Sequence, residues 1–186
     1  MILLLVGIFL WWAAHLFKRL APARRAAMDN QMGSGAKGVF ALVLLVSVVL
    51  MVLGFRWSEW VPVYDPPSWG RHLNNLLMLI AVGLLGVGHS KSRLRAKMRH
   101  PMLLGVLTWS VAHLLVNGDL SSVLLFGLLG IWAVVEIVVI NRAEPLRTSW
   151  QGGSIAGDVR LGLITLVVFA VIAAIHTWLG YPPFPM

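Results

Sequence analysis

Cysteine is absent from this chain of 186 residues. That excludes disulfides, thiolate-bound metals, cysteine nucleophiles and a CxxCH haem-attachment sequence. Charge is the second scarcity. Asp, Glu, Lys and Arg make up 12% of the residues, against about 25% in a soluble domain. The acidic side is the thinner one, with 7 acidic residues against 15 basic. What remains is apolar: 59% of residues are hydrophobic. They fall in blocks of roughly 16 to 20 between charged or Pro/Gly-rich breaks, the pattern of spanning helices. The reading is an all-α, polytopic membrane bundle of six transmembrane helices with no soluble domain.

Block one, Met1 to Phe17, starts uncharged and ends in Trp11, Trp12 and then Lys18, Arg19. It lacks the basic start and small-residue cleavage site of a signal peptide, so it reads as a retained helix. The loop after it, LAPARRAAMDNQMGSG in its middle, holds a short surface helix and a Gly/Ser turn. Block two is Val39 to Phe55 and runs into RWSEWVPVYDPPSWGR. Tryptophan and tyrosine favour the headgroup zone, and the prolines cannot continue a helix. Block three is Arg71 to Gly88, followed by the basic HSKSRLRAKMRHP. Block four is Pro101 to Val116, with proline suited to a first helical turn, and Asn117-Gly118-Asp119 makes a tight turn after it. Block five, Leu120 to Ile140, is interrupted by Glu136, a buried partner or a snorkelling side chain. The polar NRAEPLRTSWQGGSIAGDVR then leads to block six, Val159 to Leu179, closed by GYPPFPM.

The basic residues sort by loop. Lys18, Arg19, Arg24, Arg25 and Lys37 lie in the first, Lys91, Arg93, Arg95, Lys97 and Arg99 in the third, and Arg142, Arg147 and Arg160 in the fifth; the fourth has none. The positive-inside rule then puts these loops in the cytoplasm and both termini in the periplasm of a bacterial inner membrane. Spread through short loops in this way, the net charge of +8 argues for membrane lipids and against nucleic acid as partner.

This topology sorts the histidines by depth. His15, His89 and His100 lie toward the cytoplasm, and His72, His113 and His176 toward the outside. His113 sits inside an apolar segment, where an ionisable side chain has lost most of its water and needs a partner. Gly105, Val106, Trp109, His113 and Asn117 form one stripe by the i+3/i+4 rule. Gly105 permits close approach of something flat or of another helix. His100 and His113 are about 20 Å apart along a helix, too far to share one small ligand. His72 and Asn75 share a face of block three at a depth similar to His113. Neutral imidazoles from facing helices are suited to holding haem iron or another metal in a bundle. His72, beside Arg71 at a boundary, also fits a plain interfacial role, and His89 and His176 read as hydrogen-bonded interfacial residues.

Gly70 to Leu85, GRHLNNLLMLIAVGLL, and Arg99 to Gly127, RHPMLLGVLTWSVAHLLVNGDLSSVLLFG, resemble the NnrU family of bacterial membrane proteins. The specific motif is RHPMLxG…W…AHLxxNGD, and the likeness runs from about Met1 to Pro145. On that likeness residues 1–145 form an NnrU-like transmembrane domain, and 146–186 a cytoplasmic loop plus the sixth transmembrane helix. The resemblance implies an inner-membrane protein linked to nitric oxide and denitrification. The family is similar to the plant zeta-carotene isomerase, a membrane haem b protein. The isomerase likeness implies haem b held by a histidine of the W-x-x-A-H segment, here His113, and one of an early helix, here His15. Where the isomerase has a cysteine in that segment, this chain has Ser110, so a thiolate ligand switch is excluded. Depth favours His72 as the partner of His113; the resemblance favours His15.

The leading expectation is therefore a haem b protein with a redox, nitric-oxide-linked or polyene-isomerase-like role. Trp109 and Asn117 would flank the haem, and a hydrophobic small molecule would be a substrate. Arg99-His100-Pro101 also resembles the start of a helix beside the methyl-donor site of isoprenylcysteine carboxyl methyltransferases, which makes Arg99 and His100 alternative cofactor-binding residues. That family's later acidic motif is missing. A third reading is an accessory protein for respiratory complex assembly, with a membrane-protein partner or a second copy of the chain.

Overall fold

The computed structural model describes residues 1–144 and 150–184. The domain boundary expected at 145, part of the polar loop around it and the last two residues of GYPPFPM lie outside those described. Among the described residues the chain forms eight helices: α1 (Ile2–Leu20), α2 (Pro22–Met32), α3 (Ser34–Arg56), α4 (Gly70–Val87), α5 (Leu94–Lys97), α6 (Pro101–Leu114), α7 (Leu120–Ala143) and α8 (Ile155–Trp178). Six carry the six apolar blocks. The α2 helix is the surface helix expected between the first two blocks, and Gly33 at φ 55° makes the turn after it. The α5 helix is a single turn in the basic loop.

Five of these helices, α1, α3, α4, α7 and α8, are long and apolar enough to cross a membrane. The remaining apolar block, α6, is an apolar helix of 14 residues and is shorter than these five. That is about 21 Å of helix, against a hydrocarbon layer of about 30 Å. Block four was expected to continue to Val116. The helix ends earlier, and its last carbonyls accept side-chain donors as well. Asn117 Nδ2 donates to the His113 carbonyl at 2.8 Å, and the Tyr64 hydroxyl donates to the carbonyls of Leu114 and Asn117.

The chain forms two compact units. One joins Met1–Val63 to the segment that starts at Asp119 and carries α7. Here α1 packs on α3 and α7. Gly54 of α3 lies so close to the backbone of Leu4 that a Cβ there would collide with it. Small residues at such contacts let membrane helices approach and gain dispersion energy. Asp119 caps α7: its carboxylate accepts the Ser122 N–H at 2.9 Å and the Ser121 hydroxyl at 2.5 Å. Trp57 and Trp60, in the loop expected at the interface, are exposed.

The other unit joins Tyr64–Gly118 to the segment carrying α8. The α4 helix is packed by α6 and by α8. Gly105 does admit a neighbour, and the neighbour is α4: a Cβ there would meet Leu85 and the Ala81 carbonyl oxygen. The basic loop is fastened to α8 by Asp158, whose carboxylate accepts the Ser92 hydroxyl at 2.7 Å, the Arg93 N–H at 2.9 Å and Arg93 Nε–H at 2.6 Å. Gly157 lets this happen, since a Cβ would strike the Lys91 carbonyl oxygen. Most of α8 is apolar and exposed, including Leu163, Leu166 and Val167. Such a face belongs in lipid rather than water.

Candidate functional site

The α4 helix runs opposite in direction to α6 and α8 in the contacts that build the second unit. The start of α4 therefore meets the ends of α6 and α8. At that end Asn74, Asn75 and Met78 of α4, His113 of α6, and His176 with Phe169 of α8 line a cavity of about 50 Å³. Pro183 closes it. The tail reaches this position because Tyr181 N–H donates to the His176 carbonyl at 2.8 Å and Asn75 Nδ2 donates to the Pro183 carbonyl at 3.0 Å.

Each imidazole is held by its own helix. His113 Nδ1 lies 2.9 Å from the Trp109 carbonyl oxygen, and His176 Nδ1 lies 2.8 Å from that of Ile172. A carbonyl has no proton to give, so Nδ1 is the donor in both. In the neutral ring the lone pair is then on Nε2, the usual state of a metal-ligating imidazole whose other nitrogen is anchored. The Trp109 ring also lies against His113, with centroids 5.1 Å apart. Asn74 Nδ2 donates to Asn75 Oδ1 at 3.0 Å, and Asn74 Oδ1 can only accept. That oxygen has no hydrogen-bond partner among the described residues, and Asn74 is only 9% exposed.

Not every expected site residue lies here. His72 is exposed at the start of α4 and does not line the cavity. The histidine that shares it with His113 is His176, expected to be a plain interfacial residue. Asn117 donates to the backbone of α6 and does not line the cavity. Arg99 and His100 stand at the opposite end of α6 from His113 and do not line the cavity. Asn74 and Met78, spaced i and i+4, were missed because Asn75 and His72 occupy a neighbouring face. The signal was there: two adjacent asparagines inside an apolar block each need partners.

His15 belongs to the first unit. Its ring lies between the indoles of Trp11 and Trp132, at centroid distances of 4.3 and 4.8 Å. Its Nδ1 is 2.9 Å from the Trp11 carbonyl oxygen, the same anchoring as in His113. One turn beyond Trp132, Glu136 is buried and its nearest acting charge is Arg19. Arg19 also pairs with Glu144 at 2.5 Å. Glu136 is thus buried rather than snorkelling, and its Oε2 has no hydrogen-bond partner among the described residues.

The implied haem b can be tested against this geometry. The donor chemistry of His113 suits an axial ligand. The space does not suit a macrocycle: organic-ligand pockets run to about 300–1,000 Å³, and a cavity of about 50 Å³ has room for one ion or one or two waters. A porphyrin does not fit between His113 and His176. Among the described residues no three His, Asp or Glu side chains converge as a metal site, so any metal here rests on two imidazoles and neutral ligands.

Taken together, five apolar spans and a histidine-lined cavity between helices define a polytopic helical membrane protein. The chain belongs to the NnrU family, whose model, described as NnrU protein, matches residues 3–183. The match passes through α8, so the last helix is part of the family and not an appendage to it. No curated protein and no solved structure matches the chain.

Proposed function

We propose that this NnrU-family chain is a bacterial inner-membrane protein whose working centre is a metal held by the His113 imidazole, serving redox or nitric-oxide-linked chemistry. The observation that carries this is the bond from His113 Nδ1 to the Trp109 carbonyl, 2.9 Å long. It fixes the ring and leaves the ligating lone pair on Nε2, in a half-buried site among apolar helices. An imidazole is retained in such surroundings for a chemical reason. Haem b is the form of metal that the family resemblance implies, and the room beside His176 counts against a porphyrin on that side. The basic loops favour an orientation with both termini in the periplasm and the cavity in the periplasmic half.

The test is made on the full chain, purified in detergent from cells supplied with haem precursor and trace metals. Absorbance and elemental analysis should find haem or a stoichiometric metal, lost on His113→Ala. A chain that carries neither, or keeps either at full level in His113→Ala, ends this reading.

A further inference from the structure

The second unit carries another concavity, a groove of about 480 Å³ between α4 and α8 that ends at the basic loop. We propose that it holds one anionic glycerophospholipid, with an acyl chain between the two helices and the phosphate against the loop. The groove shares no lining residue with the His113 cavity, and its occupant does not depend on what His113 binds.

Charge comes first. Between His89 and His100 the chain has five cations, Lys91, Arg93, Arg95, Lys97 and Arg99, and no acid. Asp158 takes the charge of Arg93, and Arg160 follows it two residues later. Lys91 and Lys97 are exposed and form no ion pair among the described residues. Ser92 and Leu94 line the end of the groove, so Lys91, Arg93 and Arg95 flank its mouth in the chain. The mouth is held in place. The Lys91 carbonyl accepts the Ser154 N–H at 3.1 Å, and Asp158 accepts from Ser92 and Arg93. Basic clusters between membrane helices recognise anionic headgroups in this way.

Shape comes second. Ile80, Gly83 and Leu84 of α4 and Gly162 and Leu166 of α8 form the walls. From Leu79 to Val87 the groove follows about 12 Å of α4. One leaflet contributes about half of a hydrocarbon layer of about 30 Å, so the length suits one acyl chain. A Cβ on Gly162 would meet nothing within 4 Å, so the absence of a side chain there keeps the groove open. Ile80 and Leu166 are exposed and need an apolar cover. Depth agrees with this placement. The Arg95 guanidinium lies 4.6 Å from the centroid of the Trp150 ring, and tryptophan favours the headgroup zone. A second copy of the chain is a poorer cover. Lying in the membrane with the same orientation, it would bring its own basic loop to the same depth, where like charges repel.

The experiment is native mass spectrometry of the full chain in detergent, offered phosphatidylglycerol and phosphatidylcholine in equal amounts. One phosphatidylglycerol per chain should be retained in preference to phosphatidylcholine. Lys91→Gln should weaken its retention about fivefold, and Lys91→Glu at least about tenfold. These changes leave the Lys91 carbonyl and the Asp158 bonds in place. Gly162→Leu should abolish retention with every charge kept. It adds a better helix former at a position with free space, so the variant should fold.

Equal retention of the two lipids overturns the proposal, because the headgroup is then not read. Full retention of phosphatidylglycerol in Gly162→Leu also overturns it, because the lipid then lies elsewhere. So does a lipid-free dimer, crosslinked through α8, that Gly162→Leu dissociates. None of these outcomes turns on haem or metal content, so the reading of His113 stands or falls separately.

Discussion

His113 and His176 stand on different helices, 63 positions apart in the chain, and carry the same local bond: each Nδ1 donates to the carbonyl four residues earlier, at 2.9 and 2.8 Å. Two rings anchored alike line one cavity. His72, which shares the depth of His113 by topology, is exposed and takes no part.

His15 has the same anchor but different surroundings, between Trp11 and Trp132. Replacing it by Ala removes a ring contact and leaves a cavity between two indoles. We expect a loss of roughly 2–4 kcal/mol of stability, read as a lower unfolding midpoint in detergent. The metal or haem content of the folded variant should be unchanged. A metal or haem stoichiometry that drops to zero in folded His15→Ala would mean that His15 is itself a ligand.

The two close helix contacts should not be equally sensitive. A Cβ at Gly54 meets the backbone of Leu4, which cannot rotate away. A Cβ at Gly105 meets the Leu85 side chain first, at 3.0 Å, and that can shift. Gly54→Ala is therefore expected to cost more than Gly105→Ala, the latter about 1–3 kcal/mol. Thermal unfolding of the two variants side by side gives the order, and the reverse order would contradict the packing.

Asp119 supplies a pH dependence. Burial pushes its carboxyl up, but the Ser121 hydroxyl and the Ser122 N–H outweigh that and hold it below its ordinary value near 3.8. Folding thus favours the charged form. The contribution is complete above about pH 4 and is lost as pH falls through the lower folded value. Asp119→Ala should cost about 0.5–2 kcal/mol at pH 7 and flatten the loss of stability at acid pH. Unfolding measured at several values from neutral to acid checks both parts; an unchanged acid limb in the variant would remove Asp119 from the account.

The fastening of the basic loop by Asp158 predicts a local effect rather than a global one. Asp158→Ala deletes three hydrogen bonds to Ser92 and Arg93. Amide exchange should accelerate in the loop between α4 and α6 and at the start of α8, with α1 and α3 unaffected. Uniform acceleration across the chain would show that the latch stabilises more than its own corner.

How far the sequence reached follows from where each piece of information lies. The six apolar blocks and the α2 surface helix are written in runs of consecutive residues. Composition and period settle these before any two helices meet. His113 could be singled out for the same reason, as one imidazole in an apolar run. The donor to the last carbonyl of α6 could not, since the Tyr64 hydroxyl comes from 50 residues away. Nor could the companions of His113. Met78, Asn74 and His176 reach the cavity only because α4 packs against both α6 and α8. Which face of a helix meets which neighbour depends on packing across the whole unit, and a rotation of α4 by one residue would have brought in a different set.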